Sequence, residues 1–320
     1  MAISVVAIHV EIFKDFGNKI ISNILFNLLD LAVPYFFIAS GFFFFLKINL
    51  AISNVQKNEV FNLYIRRVIE LYIFWTCLYL PITIWSFFKN DAPFHWDATY
   101  FLFNVILVGE NYFSWSLWYL LSIFYSLSLL YYLQSQDFQV KNIVIICLLF
   151  YLAYVSLTYI YSQDSSTYLM ILIKKITKGF FNNGKLFSGR IYLFIGYLFA
   201  NDKIHISNNK SLFIFIFSFI IYYLRVPFIS QIIFIFMPII VFKWSLMVNI
   251  KSKINGYMFR KLSTVIYFTH MIVFFIITHF FPKFSSSNFI LFFISISVPI
   301  LFTYIVIKFE KKVSLFRKIF

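Results

Sequence analysis

From residue 21 to residue 46 the chain holds a single charged side chain, Asp30, and long apolar stretches of this kind recur along its whole length. A helix needs about 20 mainly apolar residues to cross a hydrocarbon core roughly 30 Å thick. Runs bounded by polar clusters predict ten such crossings, at about 1–13, 21–46, 64–88, 114–133, 142–161, 187–200, 211–224, 228–248, 258–281 and 288–309. The run at 99–108 is too short to cross and predicts an interfacial or re-entrant piece. Of all residues 62% are hydrophobic and 12% charged, against about 25% charged in soluble domains. The expected fold class is therefore all-α, a polytopic membrane helix bundle of about ten transmembrane helices. No soluble domain or repeat interrupts it, so residues 1–320 form one expected integral-membrane domain.

A formal charge of +15 raises the question of a nucleic-acid partner, but the basic residues lie in short connections between apolar runs, without a clustered face. They read as topogenic. With ten crossings, most of the 27 lysines and arginines, from Lys47, Arg66 and Arg67 to Lys311, Lys312 and Lys318, fall on one side, which predicts both termini in the cytoplasm. The connection 162–186, with Lys174, Lys175, Lys178 and Lys185, predicts a surface helix or cap. Cys77 and Cys147 lie in apolar runs with no metal-ligand spacing and are expected to be buried thiols; no metal site is expected. Residues 1–13 cover about 20 Å as a helix, short of the bilayer core, so the first span is expected either to be truncated at its N-terminus or to be a genuinely short segment.

Ionisable groups inside apolar runs are costly and so are functional candidates. His9, in SVVAIHV, carries the side chain best suited to take and return a proton near neutrality; the alternative is a histidine hydrogen-bonded between helices. Glu11 lies about 200° around a helix from His9 and is expected at the interface beside Lys14. In YIRRVIELYIFW, Glu70 falls three residues after Arg67 and four after Arg66, spacings that allow pairing; the arginines read either as topogenic anchors or as phosphate-binding guanidiniums. VPYFFIASGFFFF brings Pro34 and the small residues Ala39, Ser40 and Gly41, which permit close helix packing or line a substrate path, with Pro34 marking a place where the helix can open. Ser263, Tyr267 and His270 recur at i, i+4 and i+7 and form one polar stripe, a hydrogen-bond ladder or a site wall. His279 has no such company, and His95 and His205 are expected in loops.

In order, SVVAIHV, VPYFFIASGFFFF, RRVIELYIFW, SWSLWYLLSIFY, FSGRIYLFIGYLFA and KLSTVIYFTHMIVF resemble the integral-membrane acyltransferase family 3, which includes O-acetyltransferases of bacterial surface polysaccharides. The resemblance implies a ten-helix enzyme of the bacterial inner membrane. It would move an acyl group, commonly acetyl, from acyl-coenzyme A as donor substrate to a hydroxyl of a surface polysaccharide or lipid-linked sugar, with no permanently bound cofactor. It places the catalytic base on His9. The family's third-span arginine falls on Arg67, which with Arg66 would hold coenzyme A phosphates; from the residues themselves, Trp118 and the stripe of Tyr267 and His270 are candidates for the acceptor side, and Ser40 for close packing or the substrate path. Two positions depart from the family pattern: its arginine about eleven residues before the histidine would precede Met1, and its proline after the third-span arginine is Leu71 here. The competing expectation is a transporter or flippase for the same class of lipid-linked sugar, without acyl transfer.

Overall fold

A computed structural model describes residues 1–89, 93–163, 168, 171–172, 174, 185–248, 256–285 and 287–309. Among these residues the chain is mostly helical and contains no strand. The order is α1 (Ala2–Val10), α2 (Lys19–Leu29), α3 (Ala32–Leu50), α4 (Asn54–Phe87), α5 (Phe94–Leu107), a 3₁₀ turn (Trp115–Leu117), α6 (Trp118–Ser135), α7 (Val140–Ser162), α8 (Lys185–Ala200), α9 (Asn208–Tyr223), α10 (Ile229–Phe234), α11 (Phe236–Met247), α12 (Gly256–Phe280), α13 (Pro282–Ser285) and α14 (Asn288–Phe309). The expected surface helix over 162–186 lies largely outside the described residues.

Seven helical segments are long and apolar enough to cross a membrane: Lys19–Leu50, Asn54–Phe87, Trp115–Ser135, Val140–Ser162, Ile229–Met247, Gly256–Phe280 and Asn288–Phe309. The chain is thus an all-α polytopic membrane bundle, with about seven such spans among the described residues and not ten. The three expected crossings at 1–13, 187–200 and 211–224 are the short helices α1, of 9 residues, and α8 and α9, of 16 each. At 1.5 Å per residue they rise about 13 Å and 24 Å, short of a ~30 Å core. At α1 the apolar run extends to Phe13, but backbone geometry stops the helix earlier. Glu11 adopts the left-handed conformation (φ 52°), its N–H bonds Ile8 O at 3.1 Å, and the Ile12 N–H reaches back to Ala7 O at 3.2 Å. That paired closure is a Schellman end, and it fixes the C-terminus of α1 after Val10.

The apolar run 21–46 is likewise two helices. Asn18 Oδ1 caps α2 by accepting from the N–H groups of Ile20 and Ile21 at 3.0 and 3.3 Å. Pro34 then sits in the first turn of α3, where a missing N–H costs no helical bond, so it marks a helix start and not an opening within a span. The run at 99–108 belongs to α5, a 14-residue helix that also contains His95. Cys147 is buried as expected, but Cys77 is exposed on α4.

The chain divides into two compact units, each discontinuous in sequence: residues 1–33, 70–117 and 249–320, and residues 34–69 and 118–248. In the first unit, α1 packs on α12 and α14, and α12 packs on α14 and on the 3₁₀ turn. The second half of α4 joins them through the Tyr79 hydroxyl, which donates to Phe268 O at 2.7 Å, and through Trp75, stacked on Phe268 at 5.3 Å. The Tyr72 hydroxyl ties the same helix to α5 by donating to Val105 O at 2.6 Å.

In the second unit, α8 packs against α6 and α7, and α9 packs against α10 and α11. Helix α3 runs parallel to α8 in steps of four residues. Phe37 meets Gly189, Gly41 meets Leu193, Phe45 packs on Tyr197 at 5.1 Å, and Asn49 Nδ2 donates to Ala200 O at 3.2 Å. The crossing is backbone against backbone. A Cβ on Gly41 would collide with the Leu193 carbonyl, and one on Gly196 would collide with Ile38 O and lie 2.5 Å from Phe42 N. Without a hydrophobic force between helices in lipid, such close approach supplies the packing that holds them together.

Candidate active site

The first unit brings together side chains that are far apart in sequence. His9 lies on the last turn of α1 and is half-buried; α1 delivers it to α12, where its ring centroid is 5.3 Å from that of His270. His270 is 0% exposed. Its Nδ1 lies 3.0 Å from Ile266 O, one turn earlier in α12. A carbonyl only accepts, so Nδ1 carries the proton and Nε2 keeps its lone pair. Among the described residues that Nε2 is buried without a hydrogen-bond partner. Tyr267, also buried, packs its ring 6.4 Å from His270. The unbroken helix thus keeps Tyr267 and His270 on one face, with Ser263 half-buried one turn earlier.

The other side of His9 is aromatic. Trp115 places its ring 5.9 Å from His9, tilted by 38°. The loop before it is tightly made: the amides of Val108 and Gly109 both donate to Asn104 O, the Asn111 N–H donates to Ser114 Oγ at 3.1 Å, and Ser114 Oγ donates back to Asn111 O at 2.7 Å. Buried Ser116 and Leu117 anchor the 3₁₀ turn, leaving Trp115 41% exposed. Trp115 lies in the SWSLWYLLSIFY stretch, but its proximity to His9 depends on where the turn packs. His279 likewise gains company that spacing along α12 does not reveal, with Trp85 at 4.9 Å, Phe113 at 5.4 Å and Phe275 at 4.5 Å.

Glu11 does not join His9. It ends α1 and holds Lys14 in an exposed ion pair at 2.6 Å, and this hydrogen bond raises the Lys14 amine above its ordinary pKa. Among the described residues, no group of three or more His, Cys, Asp or Glu is placed to hold a metal.

The remaining sequence candidates belong to the second unit. Arg66 is exposed and Arg67 half-buried on α4. The Ser40 hydroxyl is engaged with the Tyr119 hydroxyl at 2.8 Å, and Tyr119 also donates to Phe36 O at 3.2 Å. Ser40 therefore serves the α3–α6 contact, next to the glycine crossing. Trp118 packs its ring 5.7 Å from Phe37.

Residues 1–308 match the family model described as an acyltransferase domain. The chain belongs to acyltransferase family 3. All six stretches that carry the sequence resemblance fall within the matched region. A serine/alanine racemase from Enterococcus gallinarum is 32% identical over 88 residues, 27% of this chain. The match spans only 12% of that racemase's length. No solved structure matches the family 3 chain.

Proposed function

We propose that this family 3 protein transfers an acyl group, acetyl in the first instance, from acyl-coenzyme A to a hydroxyl of a cell-surface polysaccharide or its lipid-linked precursor, in the bacterial inner membrane. The observation that carries the proposal is the His9–His270 pair: two imidazoles 5.3 Å apart, one half-buried and one fully buried, inside a chain of this family. In the proposed reaction His9 removes the proton from the acceptor hydroxyl as that oxygen attacks the thioester carbonyl. The tetrahedral adduct then collapses, the carbon–sulfur bond breaks, and His9 returns the proton to the departing thiolate, giving the ester and free coenzyme A. General-base catalysis of this kind contributes typically about 10²–10⁴-fold, so alignment of the two substrates and stabilisation of the oxyanion supply the rest. His270, with its proton fixed on the Ile266 carbonyl side, packs its ring against His9 and so limits how far that ring turns.

Arg67, with Arg66, binds the coenzyme A phosphates, for which a planar guanidinium offers paired donors that lysine lacks. Arg67→Ala is expected to weaken acyl-coenzyme A binding about tenfold or more, the size of one lost charge-assisted contact, with lysine restoring it only in part. Titrating the donor against purified protein in nanodiscs checks this; unchanged affinity removes the assignment.

The donor is cytoplasmic, so the end of α4 that carries Arg66 and Arg67 faces the cytoplasm in this reading, with both termini on the same side. That topology requires short helices such as α1, α8 and α9 to contribute to the crossings. An alkaline-phosphatase reporter fused after Phe320 is expected to be inactive and a cytoplasmic reporter at the same position active. The reverse pattern overturns the topology.

A further inference from the structure

The ring next to His9 does not stand alone. Trp115 is stacked on Phe113 at 6.1 Å and 21°, and Phe113 in turn meets Phe275 at 4.8 Å and His279 at 5.4 Å. Trp85 closes the series on Phe275 and His279 at 5.0 and 4.9 Å. The rings form a continuous line from fully buried His270, through half-buried His9 and exposed Trp115, to exposed His279 at the C-terminal end of α12. Exposure rises from His270 through His9 to Trp115, while Phe113 behind it is half-buried and Phe275 buried.

We propose that the Trp115–Phe113 stack is the acceptor platform, a subsite that holds a pyranose ring by its apolar face so that a ring hydroxyl meets His9. This inference rests on the assignment of His9 as base and names the acceptor class for that site. A pyranose presents a face of C–H groups bounded by a rim of hydroxyls. An indole matches both features, because it is broad, flat, rigid and polar at one edge. The Trp115 indole N–H makes no hydrogen bond among the described residues and remains free to donate to a rim hydroxyl. A tryptophan serving only as an interfacial anchor needs a lipid headgroup region and nothing else. Here the ring lies 5.9 Å from an imidazole, is backed by a second ring tilted by only 21°, and follows a loop closed by the reciprocal bonds between Ser114 Oγ and the Asn111 backbone. An acyl chain or lipid tail gains nothing from flatness, so a branched aliphatic side chain would serve it equally well. That difference is measurable.

The test uses the full chain in nanodiscs and saturation-transfer NMR with methyl β-glucopyranoside, methyl β-galactopyranoside and methyl α-rhamnopyranoside, with glycerol as a polyol lacking a ring. The native protein is expected to transfer saturation to the C–H groups of one face of at least one pyranoside, and not to glycerol. Trp115→Phe keeps the signal within about threefold, while Trp115→Leu, of similar bulk and still apolar, lowers the affinity about tenfold. Absence of transfer to all three pyranosides, or equal transfer in the Leu variant, overturns the platform. His9→Ala separates the two ideas. Full acyl transfer in that variant removes the base assignment, whereas lost acyl transfer together with pyranoside binding indifferent to residue 115 removes the platform alone.

Discussion

Replacing His9 by alanine is expected to lower the initial rate of acyl transfer at least about a hundredfold, the lower bound of what a positioned general base contributes. The comparison uses equal amounts of membrane-inserted protein and saturating acyl-coenzyme A. His9→Gln is expected to fare no better, because an amide fills much of the space of an imidazole and forms hydrogen bonds but does not carry a proton between the acceptor oxygen and the leaving sulfur. His270→Asn retains a donor towards the Ile266 carbonyl and deletes the second ring, so a smaller loss is expected there. A His9→Ala protein that acylates its acceptor at the native rate ends the proposed mechanism.

The second large effect concerns stability. Gly41→Ala would place a methyl group inside the Leu193 carbonyl, and neither α3 nor α8 has a flexible side chain there to move aside, since the colliding atoms are backbone. Overpacking in a well-packed core costs typically 1–3 kcal/mol, and with backbone as the obstacle the expected value for Gly41→Ala is about 3 kcal/mol, with Gly41→Leu beyond it. A loss of this size shifts the unfolding equilibrium more than a hundredfold. Gly17→Ala is the matched control: no atom lies within 4 Å of a Cβ built there, and the change is expected to stay within about 0.5 kcal/mol. Reversible unfolding in mixed micelles reads both. If Gly41→Ala is as stable as Gly17→Ala, the close α3–α8 crossing is not what holds the second unit together.

Part of the site is legible in the residues alone. His9 is conspicuous because an ionisable ring is expensive in an apolar run, and Tyr267 and His270 share a helix face because 3.6-residue periodicity requires it once α12 is continuous. The small residues of VPYFFIASGFFFF suggested close packing, and the Gly41 contact realises it. Of SWSLWYLLSIFY the sequence reading singled out Trp118, yet it is Trp115 that lies beside His9. Trp115 and Trp118 are equivalent as residue types, yet the 3₁₀ turn sets Trp115 beside His9 while Trp118 begins α6 against Phe37.

Sequence by itself determined that this protein lives in a membrane, that it is built from helices and that it belongs with the acyltransferases. Those properties add up locally, residue by residue, as hydropathy and motif order. Only the tertiary structure decided which apolar runs are long helices, because a left-handed Glu11 ends α1 where hydropathy continues. It alone also paired His9 with His270 and Trp115, since contacts between distant segments depend on how helices pack and not on what either segment contains.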